Sequence, residues 1–328
     1  MADMSIINGK NVKVFTLSSN RPLAEKIAST AHVDLANVEV YQFADGEVTV
    51  NIDESVRGHD VFVIQSTSSP ANEHLMELLI MADAIKRASA KSLTVIMPYY
   101  GYSRQDRKSQ SRQPITAKLV ADLMETSGID RVMTIDLHAA QIQGFFNIPI
   151  DNFPAGSLLA ENYLKTHDAS NIVVVSPDHG GVTRARTLAN ALSAPLAIID
   201  KRRPKPNQSS IQNIIGDVEG KDAIMIDDII DTAGTLCKGA EELIKAGAKS
   251  VCAVATHAVF SGDAIQKIEK SVLKEVIVTD TIHHNLTYTT KIKQISIGPL
   301  LGQSIIHVVN DLPISQLFDR LSNQGKSR

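Results

Sequence analysis

One stretch decides the fold of this chain: Asp227-Asp228-Ile229-Ile230-Asp231-Thr232-Ala233-Gly234-Thr235. An apolar run at 223–226 leads into the acid pair, and a helical pattern from 236 to 246 follows the turn. This order predicts a buried strand, an acidic loop and the N-terminus of a helix. At such a terminus, free backbone N–H groups and the positive end of the helix dipole favour a bound anion.

The side chains of this loop suit a phosphorylated sugar. Thr232 and Thr235 supply hydroxyl donors, and Gly234 allows the backbone to come close to a ligand. The carboxylates suit either sugar hydroxyls or a magnesium ion, and the Gly-Lys-Ser/Thr ending of a P-loop is missing. The alternative is a strand end capped by a polar turn, since Asp, Thr and Gly are common turn residues. The whole string resembles the ribose-phosphate signature of the phosphoribosyltransferase superfamily.

Buried strands and helices alternate along the chain. Apolar, β-branched runs predict strands at 12–17, 61–65, 93–97, 132–136, 172–176, 196–199, 223–226, 251–255 and 276–279. Helical periods lie between several of them, at 73–88, 117–127, 181–192 and 236–246. This alternation predicts an α/β fold of parallel sheets with helices on both faces.

A pattern of motifs also recurs along the chain at an offset of about 160 residues. The first copy begins with Gly58-His59-Asp60, continues through a predicted strand and helix, and ends with Ala-Lys-Ser at 90–92. The second copy has the same order, from Gly220-Lys221-Asp222 through a strand and a helix to Ala-Lys-Ser at 248–250. This predicts two tandem Rossmann-like domains, with a boundary in the Pro/Gly turn at 153–156. Chance similarity between two such units is the alternative. The first half carries 65–68 (Gln-Ser-Thr-Ser) where the second has the acidic loop, so only the second would keep a sugar-phosphate site.

Composition restricts the classes of function. The chain has 328 residues, 43% of them hydrophobic, and a net charge of −3. This charge argues against a general nucleic-acid or membrane surface. No stretch reaches transmembrane length and the N-terminus lacks a signal-peptide pattern, so we expect a cytoplasmic protein. Two cysteines, Cys237 and Cys252, lie in apolar segments and are expected to be packed thiols.

Further polar residues follow predicted strands, where α/β proteins bind ligands. His138 and Asp136 follow one strand, and Asp178 follows another and precedes two glycines. A magnesium or phosphate contact is expected for His138. Asp178 would serve Mg²⁺ better than zinc, because Mg²⁺ prefers hard oxygen ligands, or would cap the following helix.

Two basic loops and one turn complete the candidates. Four cations between Lys201 and Lys205 follow a strand and predict a mobile lid over phosphates, with a solvated surface as the alternative. A second basic loop at 103–108 follows a strand of the first half. The turn at 43–47 precedes an alternating run; Phe43 could stack on a base there, or could be buried in an ordinary hairpin.

Taken in order, these motifs resemble the ribose-phosphate pyrophosphokinase family, also called phosphoribosyl-pyrophosphate synthetases, and their spacing resembles its phosphate-activated, ADP-inhibited class. The motifs that carry the resemblance lie at 43–47, 55–58, 75–80, 102–106, 135–146, 176–181, 200–203 and 227–235. The resemblance implies transfer of the β,γ-diphosphoryl group of ATP to the C1 hydroxyl of ribose 5-phosphate. The products would be AMP and phosphoribosyl pyrophosphate, which serves nucleotide, histidine and tryptophan biosynthesis.

The resemblance also assigns roles to individual residues. It implies a Mg²⁺ cofactor held by His138 and Asp178, with Asp136 as a weaker candidate, and catalysis by Lys201 and Arg203. The residues expected to bind ATP are Phe43, Asp45, Gly46, Glu47, Arg104 and Gln105. The residues expected to bind ribose 5-phosphate are Arg203, Asp227, Asp231, Thr232, Ala233, Gly234 and Thr235.

The family further implies two phosphoribosyltransferase-like domains. Residues 1–153 would form the ATP and assembly domain. Residues 154–328 would form the ribose 5-phosphate domain, with the last residues free to pack on the first. A homohexamer regulated by phosphate and ADP is expected, with Ser109, Arg112, Gln143 and Ser315 near the regulatory site. A non-catalytic regulatory paralogue is the alternative, and a single-domain phosphoribosyltransferase fits the duplicated architecture less well.

Overall fold

The computed structural model of the protein describes residue 7, residues 11–202 and residues 211–317, without the side chains of 201, 202, 211 and 212. The described chain divides into two compact units. The first contains the chain up to Pro154, together with Thr281–His283 and the segment from Ser296 onward. The second contains Ala155–Asp280 and His284–Ile295.

The first unit is built on a parallel five-stranded sheet in the order β1-β4-β5-β6-β7. Its strands are β1 Val12–Thr16, β4 Asp60–Ile64, β5 Ser92–Met97, β6 Arg131–Ile135 and β7 Ile150–Phe153. A separate antiparallel ribbon consists of β2 Val38–Gln42 and β3 Val48–Ile52. The helices are α1 Arg21–Ala31, α2 Ala71–Arg87, α3 Thr116–Thr126, a 3₁₀ helix at Ala140–Phe145, and α8 Gly298–Val309.

The second unit is built on a seven-stranded sheet in the order β10-β9-β8-β11-β12-β13-β14. Its strands are β8 Ile172–Ser176, β9 Leu196–Arg202, β10 Ile211–Ile215, β11 Asp222–Ile230, β12 Ser250–Ala258, β13 Glu275–Thr279 and β14 Ile292–Ile295. Its helices are α4 Gly156–Thr166, α5 Val182–Leu192, α6 Gly234–Lys245 and α7 Ala264–Lys270. All neighbouring strands are parallel except β9 and β10, which form an antiparallel edge ribbon.

The two sheets share one topology, which confirms the predicted fold class. The order β1-β4-β5-β6-β7 in the first unit corresponds strand by strand to β8-β11-β12-β13-β14 in the second. The second unit adds β9 and β10 at one edge, and the first adds the β2–β3 ribbon outside its sheet. Strand β11 is therefore the counterpart of β4.

Matching hydrogen bonds show that the repeat is structural and not a chance likeness of sequence. At the start of β4, Asp60 accepts from the Ser92 hydroxyl (2.7 Å) and the Lys91 ammonium (2.9 Å). At the start of β11, Asp222 accepts from the hydroxyl of Ser250 at 2.6 Å and the ammonium of Lys249 at 3.3 Å. The Asp and the Lys-Ser pair therefore fasten the crossover to its strand in the same way in both units.

Helix α8 belongs to the first unit, where it packs against α1. Two glycines allow the close approach. A Cβ on Gly298 would lie 2.7 Å from Lys26 Cβ, and one on Gly302 would lie 2.5 Å from Thr30 Cβ. Real Cβ atoms do not come this close to other heavy atoms, so larger residues at these positions would push the helices apart.

Within the ranges that the structure describes, no helix is long and apolar enough to cross a membrane. Cys237 is partly exposed, Cys252 is buried, and both are free thiols.

Candidate active site

The acid pair lies near the carboxyl end of β11, in the middle of the second sheet. The sequence predicts that this strand ends at residue 226, but Ile229 and Ile230 still pair with β12. The strand therefore carries Asp227 and Asp228 within it, and the loop before α6 shrinks to 231–233. The backbone N–H of Ser261 donates to the Asp231 carbonyl (3.1 Å), which fastens this short loop to the chain that follows β12.

The turn from β11 into α6 presents backbone N–H groups to solvent. Ala233 has φ 57 and ψ 0, a left-handed conformation that is uncommon for a residue with a side chain. This reversal allows α6 to begin at Gly234 directly above the strand. The atom nearest to a Cβ built on Gly234 would be Thr232 Oγ1 at 3.9 Å, so the space in front of the helix is open. The geometry is that of an anion cradle at a helix N-terminus.

Arg184 supplies the positive charge beside the acid pair. Its guanidinium nitrogen lies 3.3 Å from Asp228 Oδ1 and 3.7 Å from Asp227 Oδ1. Asp227 Oδ1 also accepts from the backbone N–H of Asp228 (2.9 Å). Burial, the hydrogen bond with Asp228 and the negative charge of Asp228 raise the pKa of Asp227 to about 7, and Arg184 opposes this rise. The site therefore holds two carboxylates whose charges are poorly solvated without a ligand.

The loop after β8 carries Asp178 and is fixed from two sides. Asp178 Oδ1 accepts from the backbone N–H of Gly181 at 3.0 Å, and the Ser176 hydroxyl donates to the Asp178 carbonyl at 2.6 Å. The carboxylate thus caps the entry to α5, and its side of the loop is exposed. His179 Nε2 lies 3.0 Å from Asp200 Oδ1, which ties this loop to the end of β9.

The predicted basic loop begins later than expected. Asp200, Lys201 and Arg202 lie in β9, where Lys201 is paired with Gln212 of β10. Continued pairing explains the difference, because the ribbon extends the strand beyond its apolar residues. The side chain of Lys201 is not described, and Arg203 lies outside the described residues, as does the rest of the predicted lid to 210.

The turn at 43–47 joins β2 to β3 in the first unit. The backbone N–H of Phe43 donates to the Glu47 carbonyl at 2.7 Å, and Glu47 N–H donates to Asp45 Oδ1 at 3.1 Å. Gly46 has φ 97, which favours glycine. Phe43 is 52% exposed, so this is not the ordinary hairpin with a buried Phe. The turn presents an aromatic face beside two acids.

The other predicted residues of the first unit follow β5 and β6. Arg104 and Gln105 are exposed, and Gln105 Oε1 accepts from the Thr116 hydroxyl at 2.5 Å. His138 is exposed beyond β6, after Asp136 with φ 38. These side chains lie at the carboxyl edge of the first sheet. The expected regulatory residues, also exposed in this unit, are Ser109, Arg112, Gln143 and Ser315.

The loop that corresponds to the acid loop is closed in the first unit. Gln65, Ser66 and Thr67 are buried, and the Gln65 amide donates to Glu77 at 2.8 Å. A Cβ on Gly101 would lie 2.3 Å from the Thr67 carbonyl oxygen, so the neighbouring chain packs directly on this loop. Protein atoms occupy the space that is open in front of α6 in the second unit.

Within the ranges that the structure describes, no group of three or more His, Cys, Asp or Glu side chains forms a metal cage. His138 and Asp178, the two residues expected to hold Mg²⁺, are both exposed, one in each unit. Mg²⁺ usually keeps several waters and is held by one or two carboxylates together with substrate phosphates. A sparse set of exposed oxygen and nitrogen donors therefore fits a magnesium ion that arrives with a nucleotide.

Sequence reasoning missed Arg184 and His179. His179 lies inside the motif at 176–181 but received no role of its own, and Arg184 lies just beyond that motif in the helical pattern at 181–192. An arginine in the first turn of a helix opposes the helix dipole, and this is the one sequence signal that could have pointed to Arg184.

The chain is similar to several known proteins in sequence and in fold. The N-terminal domain family of ribose phosphate pyrophosphokinase matches residues 12–128, and the phosphoribosyl synthetase-associated domain family matches residues 201–319. The chain is 56% identical to the ribose-phosphate pyrophosphokinases of Bacillus cereus and Bacillus subtilis, over 94% of this chain and 98% of each relative. The crystal structure of phosphoribosylpyrophosphate synthetase from Mycobacterium smegmatis matches with 43% identity and a TM-score of 0.87. That match covers 92% of this chain and 100% of the other.

Proposed function

This chain belongs to the ribose-phosphate pyrophosphokinase family, and we propose on that premise that its second unit binds ribose 5-phosphate while its first unit binds ATP. The activity is that of a ribose-phosphate diphosphokinase, which makes phosphoribosyl pyrophosphate from ATP and ribose 5-phosphate. One observation supports the assignment of ribose 5-phosphate to the second unit and not to the first. The loop after β11 is open and acidic, whereas its counterpart after β4 is filled by protein.

Ribose 5-phosphate would occupy the cradle in front of α6. The 5-phosphate would accept from backbone N–H groups and hydroxyls between Thr232 and Thr235. The 2- and 3-hydroxyls would donate to Asp227, which lies in β11, and to Asp231, which directly follows this strand. The open space at Gly234 supports this placement, because a phosphate needs close access to the backbone there.

ATP would contact the β2–β3 turn and the loop after β5. The exposed ring of Phe43 offers a stacking surface for adenine, and Asp45, Gly46 and Glu47 offer polar groups for the edge of the base. Arg104 and Gln105 would meet the phosphates. Stacking supplies affinity, and the polar turn supplies selectivity.

His138 and Asp178 are the residues proposed to hold Mg²⁺. When bound, the ion supplies charge neutralisation for the phosphates of ATP. The chain's own contribution at Asp178 is orientation, because the Gly181 N–H fixes one carboxylate oxygen.

In the reaction, the C1 hydroxyl oxygen of ribose 5-phosphate forms a bond to the β-phosphorus of ATP. The bond between this phosphorus and the oxygen that bridges it to the α-phosphorus breaks. AMP leaves with that oxygen, and the hydroxyl proton is released. Negative charge builds on the transferring group, and the proposed catalytic cations Lys201 and Arg203 would stabilise it. Because the transition state of such a transfer is loose, catalysis depends mainly on positioning the two substrates and on stabilising the negative charge of the transferring group.

We also propose a cytoplasmic enzyme of the phosphate-activated class that assembles into a hexamer. The exposed apolar residues Ile115, Leu119 and Leu123 recur at one-turn spacing along α3 and support an assembly face. Phosphate and ADP would act at the exposed residues Ser109, Arg112, Gln143 and Ser315 as regulators.

The decisive experiment incubates the purified protein with ATP, Mg²⁺ and ribose 5-phosphate, with and without inorganic phosphate, and separates the nucleotides. We expect AMP as the product and a higher rate with phosphate. Release of ADP would contradict diphosphoryl transfer. A rate that does not change when phosphate is added would contradict membership of the phosphate-activated class. A Lys201→Ala variant with normal turnover would refute the role of that lysine.

A further inference from the structure

We propose that Arg184 is a positioning residue for the ribose 5-phosphate site, because its guanidinium holds the side chains of Asp227 and Asp228 together at the carboxyl end of β11. The inference rests on the proposed function, in which Asp227 binds the sugar. Arg184 itself is not assigned a contact with substrate. It acts through the two carboxylates.

The geometry of the pair requires a third group. Successive side chains of a strand point to opposite faces of the sheet, so adjacent carboxylates on β11 would normally diverge. Here one nitrogen of Arg184 lies within 3.7 Å of an oxygen on each of them. Asp227 also bends back to accept from the N–H of Asp228. The arginine and this bond together hold Asp227 in one orientation.

Burial makes this contact stronger than an ordinary surface ion pair. The side chain of Arg184 is 21% exposed and that of Asp228 is 6% exposed. Exposed pairs contribute little, whereas removing one member of a buried pair leaves a charge without compensation. Asp228 is thus the anchor of the arginine, and Asp227 is the more accessible acid that a sugar would reach.

The position of Arg184 in its helix supports a role outside the helix. It is the third residue of α5, where the positive end of the dipole disfavours a cation. Arg186 lies two residues further along the same helix and is exposed. Only Arg184 of these two faces the acid pair, so local helix preference does not explain its place.

Binding of ribose 5-phosphate would also require the positive charge of Arg184. The phosphate of the sugar would bring negative charge close to two carboxylates at the N-terminus of α6. A partly buried guanidinium within reach of both acids offsets that repulsion. The effect should therefore appear in the affinity for ribose 5-phosphate and not in the affinity for ATP.

The test compares Arg184→Ala, Arg184→Lys and the control Arg186→Ala by steady-state kinetics and by calorimetric titration with ribose 5-phosphate alone. For Arg184→Ala we expect the KM for ribose 5-phosphate to rise at least tenfold, with the KM for ATP within twofold. Arg184→Lys should recover most of the loss, since an ammonium can still reach one carboxylate. Arg186→Ala should match the parent protein.

A double-mutant cycle with Asp227→Asn separates this inference from the proposed function. If Arg184 acts through Asp227, its substitution should cost far less affinity in the Asp227→Asn background than in the parent. Additive losses, or equal changes in both KM values, would overturn the inference. An unchanged sugar KM in Asp227→Asn alone would instead refute the proposed sugar site. If Arg184→Ala does not fold, the double variant Arg184→Ala/Asp228→Asn replaces it, and parental affinity for ribose 5-phosphate in that double variant would overturn the inference.

Discussion

Replacing Asp227 with Asn should stabilise the ligand-free protein at pH 8, although it removes a residue of the site. The pKa of Asp227 is about 7 in the folded protein, against an ordinary value of 3.8. A carboxyl group with a raised pKa binds its proton more tightly in the folded state than in the unfolded state. The stability of the parent protein therefore falls as pH rises from about 4 to about 7. Asn carries no charge, so the variant escapes this loss.

The magnitude follows from the shift. A rise of about three pKa units corresponds to about 4 kcal/mol at most. The side chain of Asp227 is 34% exposed, so solvent screens part of the effect. We expect an advantage of about 1–2 kcal/mol for Asp227→Asn at pH 8. For a unit of this size, that corresponds to a midpoint higher by about 2–8 °C.

The assay is calorimetric unfolding of both proteins at pH 8 and pH 5, without substrate and at one ionic strength. The advantage should be smaller at pH 5 than at pH 8, because part of the Asp227 carboxyl is protonated in the folded protein at pH 5. Asp222→Asn is the matched control, because Asp222 lies at the other end of β11. Burial alone would raise its pKa, but hydrogen bonds from Ser250 and Lys249 lower it overall. Asp222→Asn should therefore destabilise by a similar amount at pH 8 and at pH 5, because a carboxyl group with a lowered pKa loses its contribution only as the pH falls below about 4.

The reasoning would be refuted if Asp227→Asn unfolded at a lower temperature than the parent at pH 8. A stabilisation of equal size at both pH values would also refute it, since a change of hydrogen bonding alone would give that result. Loss of ribose 5-phosphate affinity in the same variant would confirm that the strained charge serves binding.

Three further substitutions test other features. Gly234→Ala should stabilise α6 by about 0.5–1 kcal/mol, because the added methyl meets only open space; it should also raise the KM for ribose 5-phosphate at least tenfold, and an unchanged KM would place the phosphate elsewhere. Gly302→Ala should lower the unfolding midpoint by several degrees, because overpacking costs about 1–3 kcal/mol. The control Gly156→Ala should not lower it, because no atom lies within 4 Å of the new Cβ. Equal midpoints for the two variants would contradict the tight α1–α8 contact. Phe43→Ala should raise the KM for ATP and leave that for ribose 5-phosphate unchanged, while Tyr288→Ala, which removes another exposed ring, should alter neither; the opposite pattern would exclude stacking by Phe43.

The interior strands could be predicted from the sequence, and several of the remaining elements could not. The interior strands are continuous apolar runs bounded by turn residues, so pattern alone located β4, β8 and β12 within a few residues. Strand β14 reads Ile-Lys-Gln-Ile, and its character comes from pairing with β13 rather than from its own sequence. The extension of β9 through Lys201 likewise depends on β10. Helix α8 is mostly apolar, so an amphipathic pattern marks it less clearly than it marks α6.

The site divides in the same way. The acidic loop could be found because its chemistry is concentrated in nine consecutive residues. The left-handed turn at Ala233 could not, since nothing in an alanine signals a positive φ. The role of Arg184 is only weakly marked in the sequence, because it depends on the contact of this residue with the two acids of β11. Asp178 shows that two interpretations can hold together: it caps a helix and still presents a carboxylate to solvent.

The place of α8 in the first unit has a consequence for synthesis on the ribosome. The groove on α1 that α8 fills is formed by residues near the start of the chain, yet α8 follows the whole second sheet. The first unit therefore stays incomplete until nearly all of the polypeptide has left the exit tunnel. Vectorial folding can finish the second sheet earlier, so the domain whose sequence begins first is the one completed last. A nascent chain stalled before residue 298 would leave the surface of α1 that α8 covers open to chaperones.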